Sequence, residues 1–197
     1  MPHKQILEPW GSFLSAIDAA LKERVDVECL GAFVITALYR LPRPTADVDV
    51  LSIAPREQRE FILGLAGRGS SLHRKHRVYI EYVTVAAVPE DYEERLTEMF
   101  PGAFTRLRLL ALDPYDLALS KLERNSQRDR DDVKFLARTI PFDLQTLKQR
   151  YEKELRPNLG NPNREDLTLQ LWMEAIQEER DKEPAATGDF FTPGGGA

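Results

Sequence analysis

Two aspartates two positions apart, Asp47 and Asp49, stand in the run Ala46-Asp47-Val48-Asp49-Val50-Leu51-Ser52-Ile53. Its β-branched residues predict a strand over 46–53. Side chains at i and i+2 of a strand point to one face, so both carboxylates share that face. Like charges placed this way destabilise a strand unless a cation sits between them. The pair therefore calls for a counter-ion and marks one face of the strand as the face left out of the core. The stretch before it starts at Leu30-Gly31, runs apolar and breaks at Pro42 and Pro44.

Around this strand the chain reads as alternating elements. Phe13, Leu14, Ile17, Ala20, Leu21 and Arg24 keep a helical period over 11–24. A short strand is expected over 25–30, then a turn at Gly31 and a helix over 32–40. Pro55 opens a helix that ends near 64–67. Residues 67–76 read as a Gly, Ser and basic loop. A second strong strand is expected over 77–84, a short helix from Pro89 to about Phe100, and a strand over 104–112. Asp113-Pro114 is an N-cap followed by proline at the first helical position. From there the chain reads as helical, with a break at Asn125-Ser126. Helices are expected over 127–138, 143–155 and 163–181, the last with the apolar set Leu167, Leu171, Trp172, Ala175 and Ile176. The fold class is α+β: a mixed sheet with flanking helices over 1–112, then a C-terminal helical bundle over 113–182. Residues 183–197, ending in Thr-Pro-Gly-Gly-Gly-Ala, are expected to be a disordered tail.

Composition narrows the function classes. The 197 residues carry 27 Lys and Arg against 32 Asp and Glu, a net charge of −5. That excludes a globally basic nucleic-acid binder and leaves room for a compact cationic patch. No apolar run approaches the ~18 residues that span a bilayer. The N-terminus lacks a signal-peptide core, and the single Cys29 fits a reducing compartment, so a cytoplasmic location is expected. Cys29 lies among Val25, Val27 and Leu30 and reads as a small core residue.

The chemistry gathers around the acids. Glu81 sits mid-strand in Tyr79-Ile80-Glu81-Tyr82-Val83, where a charge is out of place. If that strand lies beside 46–53, Glu81 joins Asp47 and Asp49 in one cluster. Three converging carboxylates are hard oxygen ligands suited to Mg²⁺ (or Mn²⁺). Gly31, between a strand and a helix, leaves backbone N–H groups at a helix start where phosphate can bind. Lys121, Arg124 and Arg128 at i, i+3 and i+7 would share a face if one helix ran through Asn125, and Arg128 can instead pair with Asp132 at i+4. Asp129 and Asp132 either orient these cations or make surface ion pairs. Arg43 and Thr45 precede the acidic strand, and Thr45 is read first as a turn cap. His73 and His76 lie among cations, which argues against zinc and leaves phosphate or RNA contact as their reading. Trp10 and Trp172 read as packing residues.

This order of features resembles the nucleotidyltransferase fold of the DNA polymerase β superfamily: a glycine, a helix, Asp-x-Asp on a strand and a third acid on a later strand. A closer resemblance is to small bacterial nucleotidyltransferase-like proteins related to the AbiEii toxins of type IV toxin–antitoxin systems. It is carried by Leu41-Pro42-Arg43-Pro44-Thr45-Ala46-Asp47-Val48-Asp49-Val50, by Leu112 to Leu122, and by Arg128-Asp129-Arg130-Asp131-Asp132-Val133. The resemblance implies an NTP as substrate, metal held by Asp47, Asp49 and Glu81, and Lys121 at the nucleotide phosphates and in the catalytic set. It also implies nucleotide contacts from Gly31, Ala32, Thr45, Arg124 and Arg128, and tRNA or a protein hydroxyl as acceptor. Where the superfamily usually has Gly-Gly or Gly-Ser, this chain has Gly31-Ala32. Ala32 keeps the small size and the N–H but brings no hydroxyl. That departure motivates a second reading, a nucleotidyltransferase-fold binding module or antitoxin-type partner without turnover. A helical scaffold that self-associates is a third, and it leaves the three carboxylates unexplained.

Overall fold

A computed structural model describes residues 6–182; the stretch read as a disordered tail lies outside the described residues. The acidic strand forms as β2 (Asp47–Ala54) and pairs antiparallel with β1 (Val25–Leu30). Their register shifts between Glu28 and Cys29, so that Leu51 is an extra residue on β2. This bulge explains a spacing that strict alternation does not. Val48, Val50 and Ile53 are all buried although Val50 and Ile53 are three apart. The other face of β2 keeps Asp47 and Asp49.

On the far side of β2, β3 (Tyr79–Tyr82) adds in parallel, and β5 (Leu107–Ala111) adds in parallel to β1. A short β4 (Thr97–Met99) pairs antiparallel with β5 at the other edge. The five-stranded mixed sheet has the order β3-β2-β1-β5-β4. The parallel pairs need crossovers, and helices provide them. Helices α1 (Trp10–Ala20), α3 (Gln58–Ala66) and α4 (Ser71–His76) pack on one another, with α3 against β2 and β3. Helix α2 (Gly31–Tyr39) follows β1 directly and packs on β2 and on α6 (Gln127–Thr139). The expected α+β class is the observed one.

Two segments differ from their reading. Residues 71–76 form α4 rather than loop, because Ser70 accepts from the His73 N–H (3.1 Å) and caps a helix that Arg77 ends in the left-handed region (φ 62°). The segment after Pro89 makes only a 3₁₀ turn over Tyr92–Arg95 before β4 forms.

The C-terminal half is helical: α5 (Pro114–Leu119), α6, α7 (Leu144–Arg150) continuing as a π-turn through Leu155, and α8 (Asn163–Lys182). Asp113 caps α5 through the N–H groups of Tyr115 (3.0 Å) and Asp116 (2.9 Å). The apolar face of α8 is Leu169, Trp172 and Ile176; Leu167 and Leu171 are more than half exposed. The Trp172 indole donates to Asn125 Oδ1 (3.1 Å), so α8 braces the turn between α5 and α6.

Helix α5 is tied down by a buried carboxylate. Asp116 is fully buried and accepts from Arg95 (2.9 and 3.2 Å) and Arg150 (3.0 Å). Arg95 also binds Glu154 (2.6 Å), and Arg150 also binds Asp113 (2.7 Å). Removing one partner of such a cluster leaves buried charge uncompensated, at about 3–5 kcal/mol. Asp116→Ala is therefore expected to lose roughly that much in urea unfolding. A loss under 1 kcal/mol would show that the cluster does not brace α5.

Candidate active site

The β2–β3 register brings the three acids together. Asp49 pairs with Glu81 across the parallel ladder, and Asp47 with Tyr79. One oxygen each from Asp47, Asp49 and Glu81 lies within 4.8 Å of the other two. Thr45 donates its hydroxyl to Asp47 and so anchors the first acid. Arg68 lies 3.6 Å from Glu81, hydrogen-bonds the Tyr79 hydroxyl and stacks on the Tyr79 ring at 4.2 Å. Among the described residues no hydrogen bond reaches the Asp49 carboxylate.

Gly31 explains how Asp49 fits. It pairs with no strand but follows Leu30, which is opposite Asp49, and it has φ +74°. A Cβ there would meet the Asp49 carboxylate, with Cγ at only 2.9 Å. The glycine thus has two reasons to be there, a left-handed backbone and the space its missing side chain gives to an acid.

Burial raises the Asp49 pKa to about 6; the charges of Asp47 and Glu81 add to this, and those of Lys121 and Arg124 oppose it. Three carboxylates that converge on one face form a hard-oxygen donor set that fits Mg²⁺ or Mn²⁺.

The acids open into a cleft of about 720 Å³ whose lining also includes Arg43, Arg124, Ser126, Arg128 and Asp132. Ala32 and Thr45 also line it. The helix that would have put Lys121, Arg124 and Arg128 on one face does not form. Helix α5 stops at Leu119 and Asn125 takes a left-handed backbone (φ 43°). The turn nevertheless delivers Arg124 and Arg128 to the same cleft. Helix α6 starts there with a capping box between Ser126 and Asp129.

Lys121 is placed differently. Its side chain is 3% exposed, with Nζ 2.9 Å from Asp132 and 3.5 Å from Asp129. It borders a smaller cavity of about 160 Å³ together with Gly31, Asp49 and Ser120. Asp129 and Asp132 are both buried. Asp132 also accepts from Arg43, not from Arg128. Asp129 grips Arg124 through two bonds (2.8 and 2.6 Å). Burial alone would raise the Asp129 pKa, but bonds from Arg124 and Ser126 and the charge of Lys121 hold it well below the usual carboxylate range.

Sequence reasoning gave Arg43 and Arg68 no site role. Arg43 stands four residues before Asp47 in a segment broken by prolines, and its partner Asp132 is 89 residues away. Arg68 lay in a stretch taken for loop. His73 packs against Tyr79 (4.9 Å between rings) and its Nδ1 accepts from the Gly69 N–H (2.8 Å), while His76 packs against Phe13. Cys29 is fully buried in the core, and burial pushes its thiol pKa up.

A family described as "Nucleotidyltransferase of unknown function (DUF6036)" matches residues 15–180. The chain belongs to this nucleotidyltransferase family. The match covers Gly31, the three acids, Lys121 and both arginines of the α5–α6 turn. A search of curated proteins and a search of solved structures each gave no match. Among the described residues no helix is long and apolar enough to cross a membrane.

Two outcomes test the acid cluster. In EDTA, the folded protein keeps the Asp49 proton up to about pH 6, whereas the unfolded chain releases it near 3.8. Ionised Asp49 therefore costs stability above pH 6. Asp49→Asn is expected to be more stable than wild type at pH 7.5, by roughly 1–3 kcal/mol, and equal to it near pH 4. An equal gap at both values in urea unfolding would refute the assignment. Gly31→Ala is expected to displace the Asp49 carboxylate and weaken Mn²⁺ binding, read by calorimetry, at least about tenfold. Unchanged Mn²⁺ affinity would show that Asp49 does not need that space.

Proposed function

We propose that the protein is a Mg²⁺-dependent nucleotidyltransferase that transfers an NMP unit from an NTP to a hydroxyl acceptor. The observation that carries this reading is the convergence of Asp47, Asp49 and Glu81 in a cleft that Arg124 and Arg128 also line, in a chain of a nucleotidyltransferase family. Asp47, Asp49 and Glu81 would hold Mg²⁺ or Mn²⁺, which when bound polarises phosphoryl oxygens and neutralises their charge. Glu81, with its side chain 45% exposed to the cleft, takes the proton of the acceptor hydroxyl. The hydroxyl oxygen bonds to the α-phosphorus, the bond to the bridging oxygen breaks, and pyrophosphate leaves. Arg124 and Arg128 meet the charge on the leaving phosphates, with Lys121 behind them. Backbone N–H groups after Gly31 add to that side. The AbiEii-like segments support a toxin role with tRNA or a protein hydroxyl as acceptor, in the cytoplasm. They also support a division into an α/β unit over 1–112 and a helical unit over 113–182.

One observation favours a second reading. Ala32 lines the cleft where a serine would add a hydroxyl to the phosphate contacts, which suits a module that binds nucleotide without turning it over.

Incubation with each labelled NTP, Mg²⁺ and total tRNA separates the two. Metal-dependent label transfer is expected for wild type, with a loss of at least about a hundredfold in Asp47→Ala/Asp49→Ala. Nucleotide binding without label on RNA or protein would favour the binding module. Neither binding nor transfer would overturn both readings.

A further inference from the structure

Lys121 is the one lysine in the described residues whose ammonium is buried between two buried aspartates. Its partners are not idle. Asp132 holds Arg43, and Asp129 holds Arg124 in a two-bond fork. Arg43 and Arg124 leave that buried centre and reach the cleft, where Arg128 joins them. Arg124 is 72% exposed, whereas Lys121 is 3% exposed. The Arg128 side chain is exposed and, among the described residues, makes no hydrogen bond or ion pair. A buried ion cluster rarely adds net stability over apolar packing, and its best-attested use is to fix one arrangement. Here the arrangement fixed is that of guanidinium groups, whose planar forks suit phosphate oxygens.

We infer that Lys121 is a positioning residue rather than a phosphate contact: with Asp129 and Asp132 it forms an internal ion cluster that sets Arg43 and Arg124, beside Arg128, as the cleft's seat for an oligophosphate. The inference rests on the nucleotide reading above and reassigns its cationic half. The charge pattern is consistent with it. Lys121 supplies one positive charge to two buried carboxylates, so Arg43 and Arg124 complete the compensation from the cleft side. Their remaining N–H groups are free to meet a ligand. An oligophosphate there shares the cleft with the three acids. Lys121 would have to break both its ion pairs to reach it, and doing so would leave two buried aspartates short of a cation.

The probe is inorganic tripolyphosphate with Mg²⁺, titrated by calorimetry into the full chain. Arg128→Gln leaves the buried cluster in place; it and Arg43→Gln are each expected to weaken binding about tenfold. Asp132→Asn is expected to weaken it similarly, and Asp132→Asn/Arg43→Gln no more than either alone, because one acts through the other. In nitrogen-detected NMR spectra of wild type, the side-chain signals of Arg43, Arg124 and Arg128 are expected to move on tripolyphosphate binding, with the Lys121 Nζ signal moving least. This last readout needs no variant that might fail to fold. Multiplicative losses in the double variant, or a Lys121 signal that moves most, would overturn the inference while leaving the nucleotide reading intact. A wild-type protein that binds neither tripolyphosphate nor any NTP would overturn both.

Discussion

Like-charge repulsion at the end of one sheet sets the terms for the rest of this molecule. Asp47, Asp49 and Glu81 are forced together by the parallel register of β2 and β3. No arrangement of the strands relieves them, because the opposite face of β2 is committed to the core through Val48 and Val50. Burial, with the charges of Asp47 and Glu81 adding to it, raises the Asp49 pKa to about 6 at the mouth of a cleft. Such strain persists only where the surrounding fold over-determines it. Here that support is the bulge at Leu51, the glycine at 31 and the Thr45 hydroxyl on Asp47.

The helical half answers with the opposite charge. Asp113 starts α5 and Ser126 starts α6, on either side of Asn125; the turn between them carries Arg124 and the first turn of α6 carries Arg128, and both line the cleft with the acids. Trp172 of α8 holds Asn125, and Asp116 holds α5 between Arg95 and Arg150. The aspartates of α6 lie at the join. They face inward to Lys121 and outward to Arg43 and Arg124, so the helical layer and the cleft wall share one ion cluster. A cleft lined by both carboxylates and guanidiniums suits a ligand that is itself a metal-bound polyanion.

Much of this was legible in the residues. Two acids in a β-branched run and a third acid mid-strand located β2, β3 and their shared face, because alternation in a strand is a local property. The capped start of α5 and the break at Asn125-Ser126 were legible for the same reason. What could not be read depends on contacts distant in sequence. Arg43 and Asp132 are 89 residues apart, so no spacing announces their pairing. Lys121 reads through the resemblance as a phosphate contact, and only packing shows it buried beside Asp129 and Asp132. Leu167 and Leu171 follow a helical period yet face outward, since the neighbours of α8 select the adjacent stripe of Leu169, Trp172 and Ile176. Gly31 read as a turn glycine with a phosphate-binding helix behind it; its second task, making room for Asp49, appears only when β1 and β2 lie side by side.

The central claim is that the three acids and the cleft arginines form one metal–nucleotide site. Diffraction from crystals grown with Mn²⁺ and a non-hydrolysable NTP analogue, recorded for anomalous scattering, tests it most directly. The account predicts a manganese peak in coordinating contact with Asp47, Asp49 and Glu81, and phosphates seated against Arg43, Arg124 and Arg128. Manganese bound elsewhere, or a nucleotide whose phosphates lie outside this cleft, would contradict it.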